Sequence, residues 1–135
     1  MAATYKVIYK NHCTPQEEVG FSTGSRWYLD SDCGEKLSGI ADITVDGTKN
    51  YVSNLAVTDS ASVELAGAGG GDDFVFIKNT GGGSGDDVLI TLDDSLYYIL
   101  LSTGECFASK ISTSATVKAK CASSEDSTIE YFVGT

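Results

Sequence analysis

From residue 74 to 133 the chain is punctuated: six short apolar runs follow one another at intervals of roughly ten residues, each set off by glycine, serine or aspartate, the spacing of an all-β sandwich or barrel. The runs are 73–78 (DFVFIK), 87–92 (DVLITL), 97–101 (YYILL), 105–111 (ECFASKI), 115–121 (ATVKAKC) and 128–133 (TIEYFV). No residues of reaction chemistry sit among them. The pattern predicts an all-β fold, an antiparallel β-sandwich with little helix, because no segment keeps a helical apolar period for more than about two turns.

The first half is less regular. A first strand is expected over 4–10, where Tyr5, Val7 and Tyr9 would line one face by the two-residue period. Residues 11–25 look like a loop: they are polar and glycine-containing and hold Pro15, though 16–19 (QEEV) could make one helical turn capped by Thr14. Further strands are expected at 25–29, 39–45, 51–57 and 61–65, with Asp46-Gly47 as a hairpin turn. One domain over 1–135 is expected, with 61–135 as its core strands and 1–60 as less regular strands and loops, since 135 residues can bury a single core without staples.

Charge narrows the partners. Nine Lys and Arg stand against nineteen Asp and Glu, a net charge of −10, and the basic residues are scattered; nucleic-acid binding then lacks its main driving force. At 41% apolar the chain has enough to fold despite that charge. No stretch reaches the length of a membrane span and the N-terminus has no h-region, so a soluble product made in the cytosol, with no membrane partner, is expected. The four cysteines, Cys13, Cys33, Cys106 and Cys121, lack C-x-x-C spacing and read as free thiols. If a bridge forms, Cys106 and Cys121 are the better pair, because they fall on consecutive strands that could lie side by side.

Candidate chemistry is sparse. The tracts 67–73 (GAGGGDD) and 81–87 (GGGSGDD) run into paired aspartates and a strand, not into the Gly-Lys-Ser/Thr and helix that cradle phosphate. They read as flexible turns at one end of a sandwich, where contact loops also reside. Paired acids at 72–73, 86–87 and 93–94 offer oxygen ligands for calcium, as does 30–35 (DSDCGE), but the latter has its glycine one position early for an EF-hand and no distal glutamate; solvated turn aspartates are the simpler reading. His12 and Cys13 are adjacent, and on an extended segment they point to opposite faces, which defeats a nucleophile pair. G-x-S-x-G and H-E-x-x-H are absent, so no enzyme, no metal and no cofactor is expected. The candidate binding residues are aromatic: Trp27, Tyr28, Tyr51 and Tyr97, with Tyr98, could form a platform for a sugar ring, although tyrosines also suit the rim of a small β-core.

The stretches 74–80 (FVFIKNT), 88–93 (VLITLD) and 99–107 (ILLSTGECF) resemble a pattern in small β-sandwich virion proteins of tailed bacteriophages: an f-v-x-I-K-N strand, a v-x-v-S/T-L-D strand, an I-x-L-x-x-G-E-x-F hairpin and a late valine-rich strand. The resemblance covers roughly the last 60 residues and carries more information about a sandwich than about function. It implies a jelly-roll-like fold and a virion location. It also implies a role as a capsid decoration (cement) protein or related head or tail component, a homo-oligomer, often a trimer, that binds the major capsid protein lattice and performs no chemistry. The alternative is a carbohydrate-binding sandwich, such as a receptor-binding tail or head-fibre tip, using Trp27 and nearby tyrosines.

Overall fold

The structure, a computed structural model, describes residues 5–13, 16–21, 24–29, 37–45, 49–66 and 74–134, with side chains before Asn50 described only at Val7 and Ile8. All twelve elements are strands, and no helix occurs among the described residues. By contacts the chain divides into two compact units, one of residues 6–43 and one built mainly from residue 44 onward.

In the first unit, β1 (Tyr5–Cys13) and β4 (Leu37–Val45) form a two-stranded sheet, and β2 (Gln16–Phe21) pairs with β3 (Gly24–Leu29). The β2–β3 ladder is antiparallel and unbroken from Gln16↔Leu29 to Phe21↔Gly24. The expectation of a loop over 11–25, with a helical turn at 16–19, is thereby corrected: β1 extends to Cys13, and the partner strand β3 satisfies the backbone of Gln16–Phe21, overriding its weak local preference.

The second unit is a sandwich of two four-stranded sheets. Its strands are β5 (Lys49–Thr58), β6 (Val63–Ala66), β7 (Phe74–Asn79), β8 (Val88–Thr91), β9 (Tyr97–Leu101), β10 (Cys106–Lys110), β11 (Val117–Cys121) and β12 (Asp126–Gly134). One sheet runs in the order β10-β7-β12-β5 and the other β6-β11-β8-β9, with every ladder antiparallel. Each of the six punctuated runs is one of the strands β7 to β12. The sandwich also begins before residue 61, because β5 pairs with β12 from Thr58↔Asp126 to Lys49↔Gly134. Asp46 and Gly47, the expected hairpin turn, lie outside the described residues, and the described partner of β5 is β12.

The core comes from both inner faces. Val57, Val75, Ile77 and Ile129 of one sheet and Val88, Ile90, Val117 and Ala119 of the other are fully buried in one cluster. β12 shows why: buried and half-buried positions alternate along it, so Ser127, Ile129, Tyr131 and Val133 all face inward by the strand period. Each buried Val or Ile contributes on the order of 2 kcal/mol. Polar contacts also cross between the sheets, among them the Cys121 thiol donating to Val57 O at 3.4 Å.

Candidate functional site

The predicted aromatics fall on β3, β5 and β9. Trp27 and Tyr28 lie on β3, in register with Glu18 and Glu17, and their side chains are outside the described residues. Tyr51 is on β5, an edge strand of the first sheet, 58% exposed. Its hydroxyl donates to Glu130 Oε2 at 2.5 Å, and that bond to a carboxylate pushes the phenol up. Tyr97 is on β9, an edge strand of the second sheet, half-buried, with Lys120 Nζ 4.2 Å from its ring centroid. Tyr51 and Tyr97 therefore do not share a platform. Tyr51 instead heads a row in which it faces Phe132 and Phe132 faces Phe76 across successive strands; the Phe132 ring also lies 6.2 Å from that of Phe74.

The exposed apolar surface of the sandwich gathers elsewhere. Of the six large hydrophobic residues exposed among the described ones, four fall between 92 and 100: Leu92, Leu96, Tyr98 and Leu100. With Ile90, Ile99 and Asp93, the first three line a shallow groove of about 180 Å³. Local register builds this surface. On the β8–β9 ladder Ile90 faces Ile99 but Thr91 faces Tyr97, leaving Tyr98 as the extra residue of a bulge, and Tyr98 is 83% exposed.

The turn before β9 is held by Asp93, whose Oδ1 accepts from Thr91 Oγ1, Ser95 N and Leu96 N at 2.9, 3.0 and 2.9 Å. The Leu96 amide first, then Ser95 and the Thr91 hydroxyl, draw its carboxyl down to about 2. Asp94 takes the left-handed φ of 65° and its Oδ1 meets Lys118 Nζ at 2.5 Å.

At one end of the sandwich the glycine tract 81–87 is tightly tied rather than a flexible turn. Asn79, fully buried, donates from Nδ2 to Asp86 O and Leu101 O at 2.9 and 2.8 Å. Its Oδ1 accepts from Gly81 N at 3.0 Å and from the Ser127 hydroxyl at 2.7 Å. Thr128 Oγ1 takes Gly82 N, and Asp126 Oδ1 takes Ser84 N at 2.6 Å; this last bond lowers the Asp126 carboxyl. Thr103 Oγ1 donates to Gly85 O. Gly81, Gly83 and Gly85 all take positive φ, which glycine alone adopts freely. Asn79, Gly104 and Glu105, all within the motifs of the phage resemblance, meet here: Asn79 N donates to Glu105 O and Gly104 N to Asn79 O. Those motif residues build the fold, and the hub role of Asn79 escaped the sequence, where only an asparagine closing an apolar strand before glycine marks it.

Two carboxylates of this region each spend an oxygen on a backbone amide: Asp126 Oδ1 on Ser84 N, and Asp86 Oδ2 on Asp126 N at 3.1 Å. Among the described residues no His, Cys, Asp and Glu group is arranged to hold a metal ion. Tract 67–73, its paired acids and 30–35 lie outside the described residues, as do the side chains of His12 and Cys13. Cys106 and Cys121 are both free. The bridge considered between them is excluded by sheet order, since β10 and β11 are consecutive in sequence but belong to opposite sheets, with Cys106 exposed and Cys121 buried.

No helix among the described residues is long and apolar enough to cross a membrane. Compared with known proteins, the chain matches no family model, no curated protein and no solved structure.

Proposed function

We propose that this protein is a non-enzymatic phage virion component, a capsid decoration (cement) protein that binds the assembled lattice of a major capsid protein as an oligomer. The observation that carries this reading is the strand order. Taking the eight sandwich strands in chain order, one sheet reads 1-8-3-6 and the other 2-7-4-5, an order that supports reading the sandwich as a jelly roll, a fold of viral capsid and lectin domains. The resemblance implies the same wrap, and three of its motif residues, Asn79, Gly104 and Glu105, meet at the tied end of the sandwich. Exposed apolar residues clustered at one edge suit contact with protein surface more than with a small ligand, since no set of polar groups converges on them.

Folds host many functions, so the test is direct. A lysate from the natural source is fractionated on a density gradient and the chain is followed by mass spectrometry; purified protein is then titrated onto undecorated capsids. Co-migration with capsids at fixed stoichiometry and saturable addition are expected. Recovery only as a small free species would sink the reading.

One observation favours a second reading, a carbohydrate-binding module such as a receptor-binding tail or head-fibre tip: the row Tyr51–Phe132–Phe76 with Glu130 beside it offers ring faces and polar atoms of the kind that hold a sugar. A glycan array checks this, and silence across it removes the module.

A further inference from the structure

The sandwich has four edge strands, β10 and β5 on one sheet and β6 and β9 on the other. Three carry a charged residue, Lys110 on β10, Lys49 on β5 and Glu64 on β6, while β9 (YYILL) carries none. It also lacks proline, and its bulge lies at the Tyr97 end, leaving Ile99 to Leu101 in regular register. Proteins blunt exposed edges with charge, proline or bulges, or cover them. In its sheet β9 pairs with β8 alone, and Leu96, Tyr98 and Leu100 on and beside it are 51%, 83% and 53% exposed.

We infer that the edge of β9 is the interface with a second copy of this chain, the two β9 strands pairing antiparallel about Ile99. Charge selects that occupant. Each copy carries −10, so most of the surface repels another copy, whereas no charged residue occurs from 95 to 104, the longest uncharged run in the sequence. Nearby Asp94 is already tied to Lys118. The register is self-complementary: with Ile99 on the two-fold axis, Tyr98 of each copy faces Leu100 of the other, so the most exposed apolar side chains cover one another. Four such side chains per copy amount to several hundred Å², below the roughly 800 Å² per partner of a standard interface. The backbone bonds of strand addition make up part of the difference, which places the dissociation constant in the micromolar range. The contact is two-fold and so departs from the trimer implied by the phage resemblance. It does not rest on the capsid reading and needs no capsid for its test.

The experiment is sedimentation velocity of the full chain from about 1 to 100 µM, a range that brackets micromolar affinity. Wild type is expected to shift from 14.2 kDa to twice that mass, and added salt is expected to tighten the dimer by screening like charge. Leu100→Lys and Tyr98→Lys, both at exposed positions, are each expected to raise the dissociation constant at least about tenfold with unchanged circular dichroism. Ser53→Lys, an equal charge change at an exposed position on β5, is expected to leave it unchanged. A monomer throughout, a trimer, a dimer indifferent to both β9 variants, or equal dissociation by Ser53→Lys would each overturn the inference.

Discussion

The Ser127 hydroxyl on β12 donates to Asn79 Oδ1 on β7 at 2.7 Å, with the two residues 2% and 0% exposed. The bond joins neighbouring strands through side chains at the mouth of the core. It completes the four hydrogen bonds made by the Asn79 amide, two donated and two accepted. A buried polar group fully used in this way fixes one arrangement of the loop above it; half used, it is a liability.

Asn79→Leu is accordingly expected to destabilise the protein by about 3 kcal/mol or more, because Leu101 O, Asp86 O and the Ser127 hydroxyl all lose a partner. Ser127→Ala removes one bond and is expected to cost about 1–2 kcal/mol. Urea unfolding midpoints check both, and wild-type stability in Asn79→Leu would refute the hub.

Two glycines with similar backbone angles separate conformational strain from crowding. Gly104 has φ +87° and open space where a Cβ would go, while Gly85 has φ +70° and would place its Cβ 3.1 Å from Gly81 O. Alanine is expected to cost about 1–2 kcal/mol at Gly104 from the left-handed angle alone, and about 1 kcal/mol more at Gly85, where backbone must give way. Thermal melting of the pair shows the difference; equal losses would mean that the tract 81–87 yields.

Asp93 sets a pH dependence. Its carboxyl titrates near 2 in the folded chain against an ordinary 3.8, so the folded state favours the ionised form. The stabilisation is full above the unfolded value and fades as pH falls from about 4 through 2. The gap in melting temperature between wild type and Asp93→Ala should therefore be constant at neutral pH and narrow steadily below pH 4. A gap that grows on acidification contradicts the assignment.

The cysteines differ in access. Cys106 is exposed on an edge strand, whereas Cys121 is buried and burial pushes its thiol up. Brief alkylation of the native protein with peptide mapping is expected to label Cys106 and spare Cys121 until denaturant is added. Labelling of Cys121 at the rate of Cys106 would show that the sandwich opens readily at that end.

What was legible in the sequence was local. The punctuated runs became β7 to β12 because turn residues and apolar alternation are properties of neighbouring positions. β2 was missed because Gln16, Glu17 and Glu18 after Pro15 carry little strand preference of their own, and their partner is what makes them a strand. Sheet membership was out of reach for a related reason. Nothing in the run containing Cys106 says that it pairs with residues 74–78 rather than with the next run, and nothing in the runs holding Tyr51 and Tyr97 says that they belong to different sheets. The tract 81–87 reads as loose because its glycines are visible, while the side chains that tie it arrive from Asn79, Thr103, Asp126 and Thr128. The β9 edge read only as another apolar run, since an edge exists only once the order of strands is known.

Chain order has a kinetic consequence. Within the sandwich, β8 and β9 are the only strands both consecutive in sequence and paired; every other ladder joins distant segments, as β5 with β12 does. Such high contact order postpones most of the stabilisation until long loops have closed, which places folding in the millisecond-to-second range. Of the sandwich ladders, the β8–β9 hairpin is the one that can form in microseconds. The bare edge strand is thus among the earliest structure on the nascent chain, and it waits unguarded while the remaining strands wrap around it.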